Sequence, residues 1–226
     1  MNIVICRTYN EKKHIDRFCQ CYAWADKILI ADGGSRDGTI EIALNYPNVV
    51  VRGFTQRVWR NGASYNPEGK HINFMVQWAQ EEDADWIIMD DCDSCPTRSL
   101  QSAARDIFAN SPGHIVAPYR MYLYHEDKWF PELTGGGSFP PPKRHPDNTR
   151  NWIRWHSFWG WRAGLNLVWD ETDPWQNQIT DVARFGDDTF QWDYLNPPHA
   201  LLHYFCIDDE EIMRKLALYQ AGKDLA

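Results

Sequence analysis

Asp85-Trp86-Ile87-Ile88-Met89-Asp90-Asp91-Cys92-Asp93 is an apolar run that ends in three carboxylates within four positions. Its first part reads as a buried strand, being short, aromatic and β-branched. The second part resists burial, because adjacent carboxylates repel one another unless solvent or a cation neutralises them. At a strand end the natural neutraliser is a hard divalent cation. Oxygen ligands suit Mg²⁺ or Mn²⁺, and such an ion bridges protein carboxylates to phosphates. An acidic solvated turn is the plainer alternative.

The same arrangement, an apolar strand followed by a polar cluster, recurs upstream. Ile3-Val4-Ile5-Cys6 runs into Thr8-Tyr9-Asn10-Glu11, and Lys27-Ile28-Leu29-Ile30-Ala31 stops at Asp32-Gly33-Gly34. Val49-Val50-Val51 makes a further strand. Between the strands lie helical patterns. Ile15, Phe18, Cys19 and Tyr22 give one apolar face from Glu11 to Ala23, and Thr39 caps a short helix ended by Pro47. Ile72, Met75, Val76 and Ala79 mark another helix, and Arg98 to Ala109 a third long one. This rhythm predicts an α/β fold with a mostly parallel central sheet flanked by helices. In such sheets ligands bind beyond the carboxyl ends of the strands, where the three polar clusters converge.

The turn after the first strand, Arg7-Thr8-Tyr9-Asn10-Glu11, has no glycine, and no Gly-x-x-x-x-Gly-Lys-Ser/Thr loop occurs anywhere. Both dinucleotide-binding and P-loop chemistry are thereby disfavoured, since each needs glycines where backbone meets phosphate.

The second half is irregular. Residues 131–149, with five prolines and Gly135-Gly136-Gly137, predict a loop or lid. Leu201 to Phe205 reads as a strand, followed by a helix from about Asp208. With no repeat and no linker, 226 residues predict a single domain: a ligand-binding half over 1–112, an irregular half over 113–200, and a closing strand and helix over 201–226.

A net charge of −8 argues against general nucleic-acid binding. The amino terminus lacks a signal-peptide pattern, and no apolar run approaches the ~18 residues of a membrane span. A cytoplasmic protein without stable membrane insertion is expected. The six cysteines are then read as free thiols; Cys92 and Cys95 resemble half a zinc site, but no second pair follows. Of the twelve tryptophans, Trp152, Trp155, Trp159, Trp161, Trp169 and Trp175 crowd one region. They are either core or faces on which sugars and bases stack.

Two residues carry open readings. Asp32 either accepts a nucleobase N–H or ribose hydroxyl, or caps the turn through Gly33-Gly34. His203 is either a partly buried strand-end residue or the group that completes a metal site with Asp91 and Asp93.

Taken together, Thr8 to Glu11, Trp24 to Thr39, Asp85 to Asp93 and Leu202-His203-Tyr204 resemble family 2 glycosyltransferases of the GT-A type, in particular short bacterial members that build lipopolysaccharide cores. The closing helix with Arg214, Lys215 and Tyr219 is similar as well, whereas the resemblance fades between about 115 and 195. It implies the GT-A nucleotide-sugar-binding fold, with acceptor binding in the irregular half and a UDP-sugar as the favoured donor. Thr8 and Tyr9 would line the nucleobase pocket, Glu11 would lie near the ribose and Asp32 on the base. Asp91-Cys92-Asp93 looks like the family's Asp-x-Asp motif: Asp91 near ribose and metal, Asp93 on the Mn²⁺ or Mg²⁺, His203 as a further metal or phosphate contact. Lys70 and Asn73 stand where relatives face the donor with a Gln-Arg-Asn helix start, whose arginine is Ile72 here.

Inverting transfer needs a carboxylate base. Asp188, with Asp187, resembles the acidic pair that relatives use; Glu171 is close behind it. The acceptor is expected to be a glycan. Arg150, Arg154 and Arg162 among the tryptophans keep hydroxymethylated DNA bases as an alternative. A non-catalytic nucleotide-sugar-binding protein and a nucleotidyltransferase are the readings from other classes.

Overall fold

The computed structural model describes residues 1–56, 58–60, 63–65, 68–124, 128–129, 158–165, 167–169, 171 and 190–206. The predicted loop 131–149, the closing helix with Arg214, Lys215 and Tyr219, and Asp187 and Asp188 lie outside these residues.

Four strands run parallel at one side of the main sheet: β1 (Asn2–Thr8), β2 (Lys27–Asp32), β3 (Val49–Gly53) and β6 (Trp86–Met89), in the order β3-β2-β1-β6. β1, β2 and β6 each carry a buried apolar run, as strands covered on both faces do, while the edge strand β3 buries Val49 and exposes Val50. Beyond β6 come β10 (Gly160–Arg162), β8 (Ile115–Tyr124), β11 (Trp192–Cys206) and β7 (Ser94–Pro96). β10 is antiparallel to both β6 and β8, while β11 is parallel to β8 and antiparallel to β7. β9 (Lys128–Trp129) pairs with β8, and β4 (Val58–Arg60) forms a separate hairpin with β5 (Ala63–Tyr65).

The two sheet faces hold separate cores. One packs Val4, Cys6, Ile28 and Ile30 against Phe18 of α1 (Ile15–Cys21), Tyr22 just after it, and Leu100 and Phe108 of α4 (Arg98–Asn110). The other packs Ile3, Ile5, Leu29 and Ala31 against Ile72, Met75 and Trp78 of α3 (Glu68–Glu81). Thr97 caps α4 by accepting the Leu100 N–H at 3.4 Å. α2 is short (Thr39–Ala43).

Several expectations are revised. The first helix starts at Ile15 rather than Glu11, because residues 11–14 form a turn closed by the His14 N–H on the Glu11 carbonyl at 2.9 Å. Thr39 is the first residue of α2 and does not cap it; Gly38, at φ 98°, holds that position. The closing strand spans Trp192–Cys206, not only 201–205, and its register shifts between Leu195 and Ala200. Pro197 and Pro198 lie in that gap, and a proline has no N–H to give to a ladder.

The free-thiol reading fails for one pair. α1 and β7 pack together, bringing the Cα atoms of Cys21 and Cys95 to 5.9 Å, and the two are joined in a disulfide. Cys6, Cys19 and Cys92 remain free and buried. The aromatic faces are also spent: Trp159, Trp161 and Trp169 are buried in the two cores. Trp152, Trp155 and Trp175 fall outside the described residues.

Candidate active site

The carboxyl ends of β2, β1 and β6 lie side by side, with Thr8 opposite Asp32 in the ladder. β2 and β3 extend from β1 on one side and β6 on the other, so the strand order reverses at β1, and a ligand crevice is expected beyond these strand ends.

The loops after β1 and β2 are stitched together by a continuous set of hydrogen bonds. The Ser35 hydroxyl accepts the Asn10 N–H at 2.8 Å and donates to Asp32 Oδ1 at 2.5 Å. The Asn10 side-chain carbonyl accepts the Arg36 N–H at 2.9 Å. The Thr39 hydroxyl accepts the Glu11 N–H and donates to Asp37, which also accepts the Lys12 and Thr39 N–H groups. Burial works against the Asp37 carboxylate, yet these donors outweigh it and hold its pKa below the ordinary value. Gly34 (φ 96°) and Gly38 (φ 98°) supply left-handed turns that other residues take with strain.

Asp32 is buried, and both its oxygens are engaged. The Gly34 and Ser35 N–H groups donate to Oδ2 at 2.8 Å each, and the Thr8 and Ser35 hydroxyls to Oδ1 at 3.1 and 2.5 Å. A carboxylate offers about four acceptor positions. Of the two readings of Asp32, turn cap and nucleobase contact, the first is the one drawn in hydrogen bonds. Tyr9 is exposed beside it and Glu11 half-buried.

The three carboxylates after β6 have separate fates. Asp90 is buried and accepts the Tyr22 hydroxyl at 2.5 Å, and that hydroxyl in turn accepts the Trp159 indole N–H at 3.0 Å. This Asp90 is part of the core. Asp91 is partly exposed and pairs with Arg7 Nη2 at 3.1 Å. Asp93 is half-buried, and the Ser94 N–H on the Asp91 carbonyl closes the turn between them. β7 then pairs with β11 so that His203 stands opposite Ser94, next to Asp93 in the chain. Cys92 points inward with Cys6. Burial raises both thiols' pKa, and Cys19 is pushed up to about 12, mainly by burial too. Thiols so held are poor nucleophiles and poor metal ligands.

The start of α3 borders the same edge. His71, buried and stacked on Phe54 at 4.3 Å, donates Nε2–H to the Ala31 carbonyl at 2.9 Å. Burial first, then the Arg7 guanidinium, lower its pKa to about 4. Lys70 is half-buried there. The Asn73 amide is hydrogen-bonded to Trp169 and Glu171. Arg162 lies over the Trp86 ring at 4.3 Å and donates to the Ser111 carbonyl, so it serves packing. Arg150 and Arg154 fall outside the described residues.

Residues 3–166 match the model for glycosyl transferase family 2. The chain belongs to that family. Among solved structures, this family 2 chain resembles Staphylococcus aureus TarS 1–349 at 17% identity and a TM-score of 0.59, over 96% of this chain and 64% of that one. It resembles the longer TarS structure at 16% identity and a TM-score of 0.61, over 96% and 39%. A mycobacterial protein aligns at 12% identity and a TM-score of 0.54, over 90% and 67%. At such identities the likeness establishes the fold, which is the expected GT-A-like α/β arrangement. The chain spans less than two thirds of the TarS chains' length. No curated protein sequence matches it.

A divalent ion fits the donor set this family member presents. Asp91 and Asp93 offer carboxylate oxygens from one turn at the crevice. A nucleotide-bound Mg²⁺ or Mn²⁺ needs only one or two protein carboxylates beside the phosphates. Among the described residues no three metal-ligating side chains come together. No helix among them is long and apolar enough to cross a membrane. Sequence reasoning passed over Arg7, His71 and Tyr22. Arg7 alternates with Thr8 on β1, and that spacing alone could have put it on the α3 face beside the crevice.

Proposed function

We propose that the protein is a metal-dependent, inverting glycosyltransferase that passes a sugar from a UDP-sugar to a hydroxyl of a glycan. The observation that carries this is the meeting of Thr8, Asp32 and the Asp91–Asp93 turn at neighbouring parallel strand ends, in a chain of glycosyl transferase family 2. A TarS 1–349 structure of the same fold is a complex with UDP, which supports uridine as the base.

In this reading Thr8, Tyr9 and the Asp32-capped loop form the nucleoside side, with Glu11 near the ribose and Lys70 toward the phosphates. Asp91 and Asp93, with His203 alongside, hold Mn²⁺ or Mg²⁺. The ion, when bound, supplies positive charge that stabilises the diphosphate as it leaves. Arg7, paired with Asp91 at 3.1 Å, would add a fixed positive charge beside the carboxylates that would hold the ion. The acceptor oxygen bonds to the anomeric carbon as the bond from that carbon to the diphosphate oxygen breaks. The electron pair stays on the diphosphate, and the acceptor proton goes to a carboxylate of the second half. The candidates are Asp188, its neighbour Asp187, and Glu171, whose carboxylate is exposed and tied to α3. A cytoplasmic enzyme is expected.

The test is UDP release from a panel of UDP-hexoses, with and without oligosaccharide acceptors, followed by NMR of the product linkage. Acceptor-stimulated release with the anomeric configuration reversed is expected. Retention would remove the single-displacement mechanism, and no release with any donor would leave a nucleotide-sugar-binding protein.

A further inference from the structure

We infer that Asn73 is a positioning residue whose side-chain amide fixes Glu171 at the carboxyl edge of the sheet. The inference rests on the proposed role of Glu171 as a base.

The path of the chain carries it. After β10, the Ala163 N–H bonds to the Asp85 carbonyl at 3.0 Å, and the Ala163 carbonyl accepts from Gln80 Nε2 at 3.2 Å. The segment therefore starts near the carboxyl-terminal end of α3. By Trp169 it has reached Asn73, seven residues nearer the helix start, which is about 10 Å along the axis. That is the end of α3 where His71 meets the Ala31 carbonyl, next to Asp32. The segment travels from the amino edge of the sheet to the edge that holds the crevice, and Glu171 arrives last.

Asn73 fastens it there. Its Oδ1 accepts the Trp169 N–H at 2.8 Å, and its Nδ2 donates to the Trp169 carbonyl at 3.0 Å, as a neighbouring strand would. The same Nδ2 donates to Glu171 Oε1 at 2.9 Å. Trp169 is buried against Trp161 and cannot swing with the segment. One carboxylate oxygen of Glu171 is thus fixed by a residue on the rigid donor half, and Oε2 can take a proton. Both Nδ2 hydrogens of Asn73 are engaged by this segment, and one acceptor position on Oδ1 is left over.

The test compares Asn73→Ala, Asn73→Asp, Glu171→Ala and the double variant Asn73→Ala/Glu171→Ala in steady-state transfer, with UDP affinity measured on each. Asn73→Ala should lower kcat by about 100-fold, the scale of a misplaced catalytic group, at unchanged donor KM and UDP affinity. Asn73→Asp keeps the acceptor for the Trp169 N–H but sets a like charge against Glu171. It should lose kcat to a similar degree while melting near the wild-type temperature, which separates positioning from loss of fold. The double variant should be no slower than Glu171→Ala. A raised donor KM at unchanged kcat would return Asn73 to the donor and overturn the inference, as would multiplicative losses in the double variant. Full activity of Glu171→Ala would instead overturn the base reading, and the inference with it.

Discussion

The loops after β1 and β2 and the turn after β6 meet at one edge, yet they are built differently. The first two are locked to one another by the side chains of Asn10, Asp32, Ser35, Asp37 and Thr39, each hydrogen-bonded within the protein. After β6, Asp90 sinks into the core and holds the strand end through Tyr22, while Asp91 and Asp93 stay at the surface. One region is a preformed wall. The other uses one carboxylate as an anchor and leaves two partly exposed, the pair proposed above to hold a cation. A run of acids in sequence is therefore not one functional unit, since burial sorts its members.

That division can be attacked at its strongest point first. His71 stands behind the wall as a neutral imidazole with a pKa of about 4, against about 6.5 when unfolded. The unfolded state binds more protons between these values, so stability is full above about pH 6.5 and falls as pH drops toward 4. The drop attributable to this group is about 3 kcal/mol. Urea denaturation at pH 7 and pH 4 should show it in the wild type and not in His71→Gln; an equal drop in both would remove His71 as its source.

Next in size, Asp90→Ala should cost about 2.5 kcal/mol, because a charge-assisted buried hydrogen bond is lost and the Tyr22 hydroxyl loses its acceptor. Gly160→Ala probes the join between the halves. A Cβ there would meet the buried Phe108 ring at 2.7 Å, so about 2 kcal/mol of overpacking is expected by the same denaturation. Smallest in stability is Asp91→Ala, at under about 1 kcal/mol, because its pair with Arg7 is partly exposed. If Asp91→Ala proved as destabilising as Asp90→Ala, the contrast between anchor and ligand would collapse.

How much of this was legible follows the range of the interactions. The parallel half was readable because Ile3–Cys6, Lys27–Ala31 and Trp86–Met89 are continuous apolar runs closed by polar turns, a signal local to each strand. β10 and β7 are illegible because Gly160–Arg162 and Ser94–Pro96 are three residues long and only long-range partners make them strands, and β8 because Pro118 interrupts its run. The same holds in the site. The Asp-x-Asp turn and the Asp32 loop announce themselves locally. The Cys21–Cys95 bond joins residues 74 apart, and the reach of Asn73 to Glu171 spans 98 positions. The tryptophan cluster stayed open between core and stacking faces for a related reason, since composition does not say which ring faces are already covered.

The most direct test of the central claim is calorimetric titration of wild type and Asp93→Ala with UDP, GDP and CDP, first with Mn²⁺ and then with EDTA. The wild type should bind UDP in preference to the others, EDTA should abolish this binding, and Asp93→Ala should not bind while melting like the wild type. Binding of UDP that survives both EDTA and Asp93→Ala, or no nucleotide binding by the wild type, would contradict that claim.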